Sequence, residues 1–197
     1  IVPLMFVATL IYAYVFIEIE TKTKKQFFAI GCAIISWLLV ALLLKLVVGI
    51  PFAIIVALGI SSLIIANLIF NQFDTNPPKK IQLPKHIYIM RFFIGGTVIA
   101  GAVIVARLLG PVWGGIVGSM PAMLGCILYF LSKSQGGEFL RGFLRRLPLS
   151  YISSLLFLVV VHQSLTNLNS ILSFILGMAT SLLYTSLLIG IKSKAEK

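Results

Sequence analysis

The side chains of this sequence that could do chemistry gather around one stretch, Arg107 to Pro121, which reads R-L-L-G-P-V-W-G-G-I-V-G-S-M-P. An arginine, a Gly-Pro corner, a tryptophan, further glycines and a second proline stand there between flanks that are apolar throughout. A guanidinium offers a planar fork of donors that suits a carboxylate or a phosphate. Trp113 and Ser119 lie close to it in sequence, and Lys45 and His162 precede other turns in the chain. Arg107, Lys45, Trp113, Ser119 and His162 therefore form the candidate binding set for an anionic or zwitterionic group. The competing reading is snorkelling, in which a long basic side chain near a helix end reaches for the interface. For Lys45 that reading is the stronger one, and His162 with Gln163 reads as an interfacial pair.

The same stretch is mechanically unusual. Pro111 suits the first position of a helix. Pro121 lies ten residues further on, roughly 15 Å along a helix and near mid-bilayer. It should kink the helix and free the carbonyl of Val117. Lipid offers that carbonyl no partner, so Ser119, Ser61 or a water-lined cavity is expected to supply one. Gly114 and Gly118 form a G-x-x-x-G with Gly115 and Ser119 on the neighbouring stripe, and Gly96, Ala100 and Gly101 answer from the preceding span. Close helix packing explains such glycines. Discontinuous helices also build substrate sites this way, which makes Gly110, Pro111, Gly114, Gly115, Gly118 and Pro121 candidate gating or kink residues.

Other chemistries are disfavoured. Cys32 and Cys126 each sit inside an apolar run and read as buried small hydrophobes. With only His86 and His162 beside them, neither a metal centre nor a cofactor is expected. There is no G-x-S-x-G, H-E-x-x-H or phosphate loop, so the chain is not expected to be an enzyme. Of the five carboxylates, Asp74 and Glu138 fall in loops and Glu196 in the tail. Glu18 and Glu20 fall at an interface, each four residues before a lysine (Lys22, Lys24), and read as helix-supporting pairs. A coupling carboxylate is the alternative for these two. With no acid placed inside a span, a cation antiporter of the small multidrug type is disfavoured.

The elements that must position these residues are membrane spans. Hydrophobic residues make up 59% of the 197 and charged residues 11%, and the mean hydropathy is +1.09, outside the range of soluble domains. Seven apolar runs, about 1–17, 27–48, 51–70, 92–109, 111–132, 148–163 and 169–191, each approach the ~20 residues that cross a bilayer. The expected fold is thus all-α, a polytopic bundle of seven transmembrane helices in one domain, 1–197. The Asp74–Lys80 stretch, with Pro77 and Pro78, is a solvated turn and not a domain linker. The stretch Gln135-Gly-Gly-Glu138-Phe-Leu-Arg141 should end a span and then start a short basic helix lying at the cytoplasmic face, where anionic lipid is its partner. The N-terminal I-V-P-L-M has no basic leader and no A-x-A site, so the first span is expected to be retained.

Charge position sets the expected topology. The formal charge is +11, but the basic residues cluster between apolar runs, so nucleic acid is not the expected partner. Fourteen of the sixteen lysines and arginines fall in alternate loops and the C-terminal tail; Lys45 and Arg107 are the other two. The positive-inside rule then places the N-terminus outside and the C-terminus in the cytoplasm.

Spans 2–3, 4–5 and 6–7 make three hairpins with like orientation. Lys45-Leu-Val-Val-Gly-Ile-Pro51 can be laid over Arg107-Leu-Leu-Gly-Pro111, and Gly59 and Ser61 nearly match Gly118 and Ser119. The third hairpin keeps only His162 before its turn and Gly177-Met-Ala-Thr-Ser181 after it. Such a repeat would be parallel rather than inverted.

The motif R-x-x-G-P-x-W-G-G-x-x-x-x-x-P (Arg107, Gly110, Pro111, Trp113, Gly114, Gly115, Pro121), preceded by Arg91-Phe-Phe-Ile-Gly-Gly96, resembles that of a prokaryotic family of small inner-membrane proteins whose domain has no assigned function. The likeness covers about residues 87–191. It implies a helical membrane protein, in some members described as a transporter, and no substrate. The hairpins also loosely resemble drug/metabolite carriers, which normally show inverted repeats. The expectation is a small inner-membrane transporter or translocator of an anionic or zwitterionic solute or phospholipid headgroup, working as a homodimer. Arg107 would attract the anion at the outer mouth and span 5 would flex at Pro121. The alternative is a non-transporting assembly partner, or a substrate-binding subunit of a larger transport complex.

Overall fold

A computed structural model describes residues 2–46, 49–73, 85–135 and 137–195. Among these residues all regular structure is helical: α1 (Val2–Thr23), α2 (Gln26–Lys45), α3 (Phe52–Phe70), α4 (Lys85–Leu109), α5 (Pro111–Gly118), α6 (Ala122–Gln135), α7 (Gly137–Ser164) and α8 (Ser170–Ala195). Seven stretches are long and apolar enough to cross a membrane, with α5 and α6 together making the fifth. The chain is an all-α, multi-pass membrane bundle. The loop around Pro77 and Pro78, position 76 within it, Glu196 and Lys197 lie outside the described residues, as do the side chains of Lys85, His86, Arg91, Glu138, Lys192 and Lys194.

The bundle is organised around α1, which packs against α2, α3, α5, α6 and α7. Of its span 56% is buried inside the protein, against 6% for the α4 span and 11% for α8. Phe16, Ile17, Met5 and Ala13 form the middle of the core with Leu128 of α6 and Leu140, Leu144 and Leu155 of α7. In lipid there is no hydrophobic drive between helices, so packing and polar contacts decide which helix is central. The central one need not be the greasiest, and α1 is less apolar than α2 or α3.

The first span is longer than its apolar run. α1 continues through Glu18 and Glu20 to Thr23, so both acids belong to the helix. The Thr21 and Thr23 hydroxyls donate to the carbonyls of Ile17 and Ile19 at 2.8 and 2.7 Å. Lys24 then turns the chain at φ +54°.

The basic stretch after residue 137 is not a separate surface helix. α7 runs unbroken from Gly137 to Ser164 with Pro148 buried inside it. Leu140, Leu144 and Leu147 continue the inward stripe. Arg141 reaches Glu18 of α1 at 3.7 Å and Arg145 donates to Asn71 after α3 at 2.7 Å. That stripe and those two anchors hold the segment to the bundle rather than to the membrane face.

The first two hairpins share their corner but not their packing. Gly49 and Gly110 both adopt positive φ ahead of a proline, at +107° and +94°, a conformation open to glycine at little cost. α4 and α5 then pack tightly, whereas among the described residues α2 and α3 scarcely touch and both lean on α1. Gly59 accordingly faces Pro3 of α1 and Leu155 of α7, so its match to Gly118 in sequence is not a match in environment. In the last hairpin Gly177 lets α8 close on Phe157 and Val161, and Ser153 bonds Ser181 at 2.6 Å.

Candidate functional site

Span five does not kink at Pro121; it breaks. α5 ends at Gly118 and α6 starts at Ala122. Proline removes its own N–H, and its ring also disfavours helical geometry for Met120 before it, and Ser119, Met120 and Pro121 all lie outside the helix. The loose carbonyls are satisfied locally. Met120 N–H donates to Val117 O at 3.1 Å, and Ser119 N–H to Gly115 O and Ile116 O at 3.1 and 3.2 Å. The Ser119 hydroxyl takes Ile116 O at 2.8 Å. Ser61 bonds Leu58 within its own helix and has no part in the break.

Both half-helices pack on α4, and α6 reaches α1, α2 and α7 as well. A Cβ on Gly114 would strike Ala106, and one on Gly118 would stand 3.5 Å from Ala102 Cβ. The close face of α4 is therefore Ala102–Ala106, not Gly96, Ala100 and Gly101. Gly96 and Gly101 face open space, as does Gly115. Gly95 and Gly125 give the other close approaches, to Met123 and to the Tyr12 hydroxyl.

The break stands between two cavities that share Met120, Pro121 and Ala122. One, of about 410 Å³, is lined by Tyr12 of α1, by Phe27, Ile30, Ile34 and Trp37 of α2, by Met90 and Ile94 of α4, and by Gly125, Cys126 and Tyr129 of α6. Its walls include α2 and α4, which make at most marginal contact among the described residues. The other, of about 390 Å³, lies against Phe6, Thr9, Gly95, Ser119 and Tyr151. Both are almost wholly apolar, and among the described residues neither is lined by a charged side chain. The polar groups of the residues that line the first are two phenols, a thiol and an indole.

The sequence candidates distribute as follows. Lys45 and Trp113 come together, with Lys45 Nζ 4.2 Å from the ring centroid. His162 is exposed and stacks on Phe52, ring centroids 3.7 Å apart. Phe52 lines a third cavity, of about 380 Å³, where Gly49 and Ile50 of the first corner meet Pro111, Val112 and Gly115 of the second. The two glycine corners thus share one mouth. Arg107 is exposed and lines none of these three cavities. Ser119 and Pro121 sit at the break itself. Cys126, taken as a packing residue, faces the larger cavity.

Tyr12, Trp37, Phe27 and Tyr129 are the residues that sequence reasoning missed, and Glu20 is one that it read chiefly as an interfacial pair. Glu20 is 7% exposed and bonds Ser132 at 2.6 Å; it does not pair with Lys24 in the interface. The signal available was the composition of α1, whose threonines, tyrosines and glutamates suit contact with protein rather than lipid. No protein-family model matches the chain, and no curated protein or solved structure is significantly similar to it.

Proposed function

We propose that this protein is an inner-membrane carrier or translocator of a lipid-like amphiphile, with its N-terminus outside and its C-terminus in the cytoplasm. The observation that carries the reading is the pair of apolar cavities meeting at the broken fifth span, one of them walled by α2 and α4, which make at most marginal contact among the described residues. A half-helix break beside a cavity is how membrane carriers place a site and let one part of the bundle rock on another. Apolar walls suit a hydrocarbon tail arriving from the bilayer, and Tyr12 and Cys126 supply polarity without charge. The headgroup travels past the outer mouth, where Lys45 and Trp113 stand. Membership in the family of small inner-membrane proteins suggested by the Arg107–Pro121 motif belongs to the same proposal.

The test is translocation of a headgroup-labelled fluorescent phospholipid in proteoliposomes, read by chemical quenching of the outer leaflet. Exchange should exceed that of empty vesicles and fall when Ile34→Trp fills the larger cavity. Rates equal to empty vesicles, with folded protein present, reject the carrier reading. The assembly-partner reading would then stand on the open Gly96–Gly101 face of α4, which suits a second helix or a second copy.

A further inference from the structure

Among the described residues, Glu20 is a buried carboxylate with no counter-charge beside it. Glu20 is buried on α1 three residues before that helix ends. Its Oε1 accepts a hydrogen bond from Ser132 Oγ of α6 at 2.6 Å, and Ser132 Oγ accepts from Gln26 Nε2, at the start of α2, at 2.9 Å. Glu18, two residues earlier and on the other side of the helix, takes both Lys22 at 3.4 Å and Arg141 at 3.7 Å. Lys24, spaced to serve Glu20, lies past the end of α1 at φ +54° and is exposed. Among the described residues no basic group is within ion-pair distance of Glu20. A carboxylate withdrawn from water with one neutral donor is costly, and acids retained inside membrane bundles mark ion paths.

We propose that Glu20, Ser132 and Gln26 form a binding site for a monovalent alkali cation at the basic end of the bundle. The ligand set is hard oxygen: the Glu20 carboxylate, the Ser132 hydroxyl and the Gln26 side-chain carbonyl, presented when the amide rotates to exchange N for O. A single formal charge matches a monovalent ion; calcium is held by six to eight oxygens with several carboxylates, and softer metals want sulfur or imidazole. Phe27 follows Gln26 and Tyr129 lies one turn before Ser132; their rings, 5.7 Å apart, line the larger cavity. An ion drawing α2 and α6 together at this point acts on that cavity. Its role as the coupling ion rests on the carrier reading; its binding does not.

The experiment is thermal unfolding of the full chain in detergent at constant ionic strength, with choline chloride replaced stepwise by sodium, potassium or lithium chloride. One alkali ion should raise the midpoint saturably over choline. Ser132→Ala should weaken its apparent affinity about tenfold, Glu20→Gln should abolish the shift, and Glu18→Gln should keep it. As a readout that needs no variant, a hydrophobic carbodiimide should modify Glu20, found by peptide mass, and the same ion should protect it. Midpoints equal in all four salts, a shift retained in Glu20→Gln, or modification of Glu20 indifferent to the ion each overturn the site. No solute is involved, so these results leave the carrier proposal untouched, and failed lipid exchange leaves the ion site untouched.

Discussion

Lys45 places its ammonium 4.2 Å from the centre of the Trp113 ring. The end of α2 is thereby tied to α5, two elements that the chain separates by the whole of α3 and α4. A half-buried cation over an indole face is worth on the order of 1 kcal/mol. Lys45→Gln and Trp113→Leu should each lower stability by about that much, and the double variant by less than their sum. Additive losses in chemical unfolding would mean that the two residues stabilise the protein separately.

Pro121 should act on mechanics more than on stability. Pro121→Ala restores an N–H and lifts the restriction on Met120, so α5 and α6 can join. The expected outcome is a rise in stability of up to about 1 kcal/mol and slower lipid exchange in proteoliposomes. Unchanged exchange would make the break a packing feature only.

The glycines of the fifth span should separate cleanly. Gly114→Ala meets Ala106 and the Ala102 carbonyl and should cost about 1–3 kcal/mol by overpacking. Gly115→Ala, one residue on, meets nothing within 4 Å and should be neutral or stabilising by up to about 1 kcal/mol through helix propensity. Thermal or denaturant unfolding of the two variants side by side reads the difference.

Arg107 should be replaceable. It is exposed and lines none of the three cavities, so Arg107→Lys should change lipid exchange and stability by less than about 0.5 kcal/mol. A loss of tenfold or more in exchange with the lysine variant would restore the guanidinium clamp read from the sequence.

Orientation is tested by labelling single cysteines in a background lacking Cys32 and Cys126. Asn76→Cys should react with an impermeant reagent only after permeabilisation, and Asn167→Cys in intact cells. The reverse pattern would invert the bundle.

Much of this protein was legible before any coordinates. Seven runs of bilayer length can form only helices, because lipid leaves a backbone amide no partner outside the chain. The Gly-Pro corners at 49–51 and 110–111 and the singularity of Pro121 were equally visible, since φ restriction and a missing N–H are local properties. What tertiary structure alone decided is which helix is central and what faces what. α1 shows no apolar stripe to announce its role, because in lipid the outward face is as apolar as the inward one and hydrophobic periodicity carries no direction. Whether Pro121 kinks or breaks its span depended on Met120, and whether Gly96 or Ala102 meets Gly114 depended on a rotation of α4 that spacing does not specify. Glu20 is the sharpest case. Its four-residue spacing to Lys24 reads as an exposed pair, but the helix stops at Thr23, the lysine turns away, and Ser132, more than a hundred residues later, takes the carboxylate.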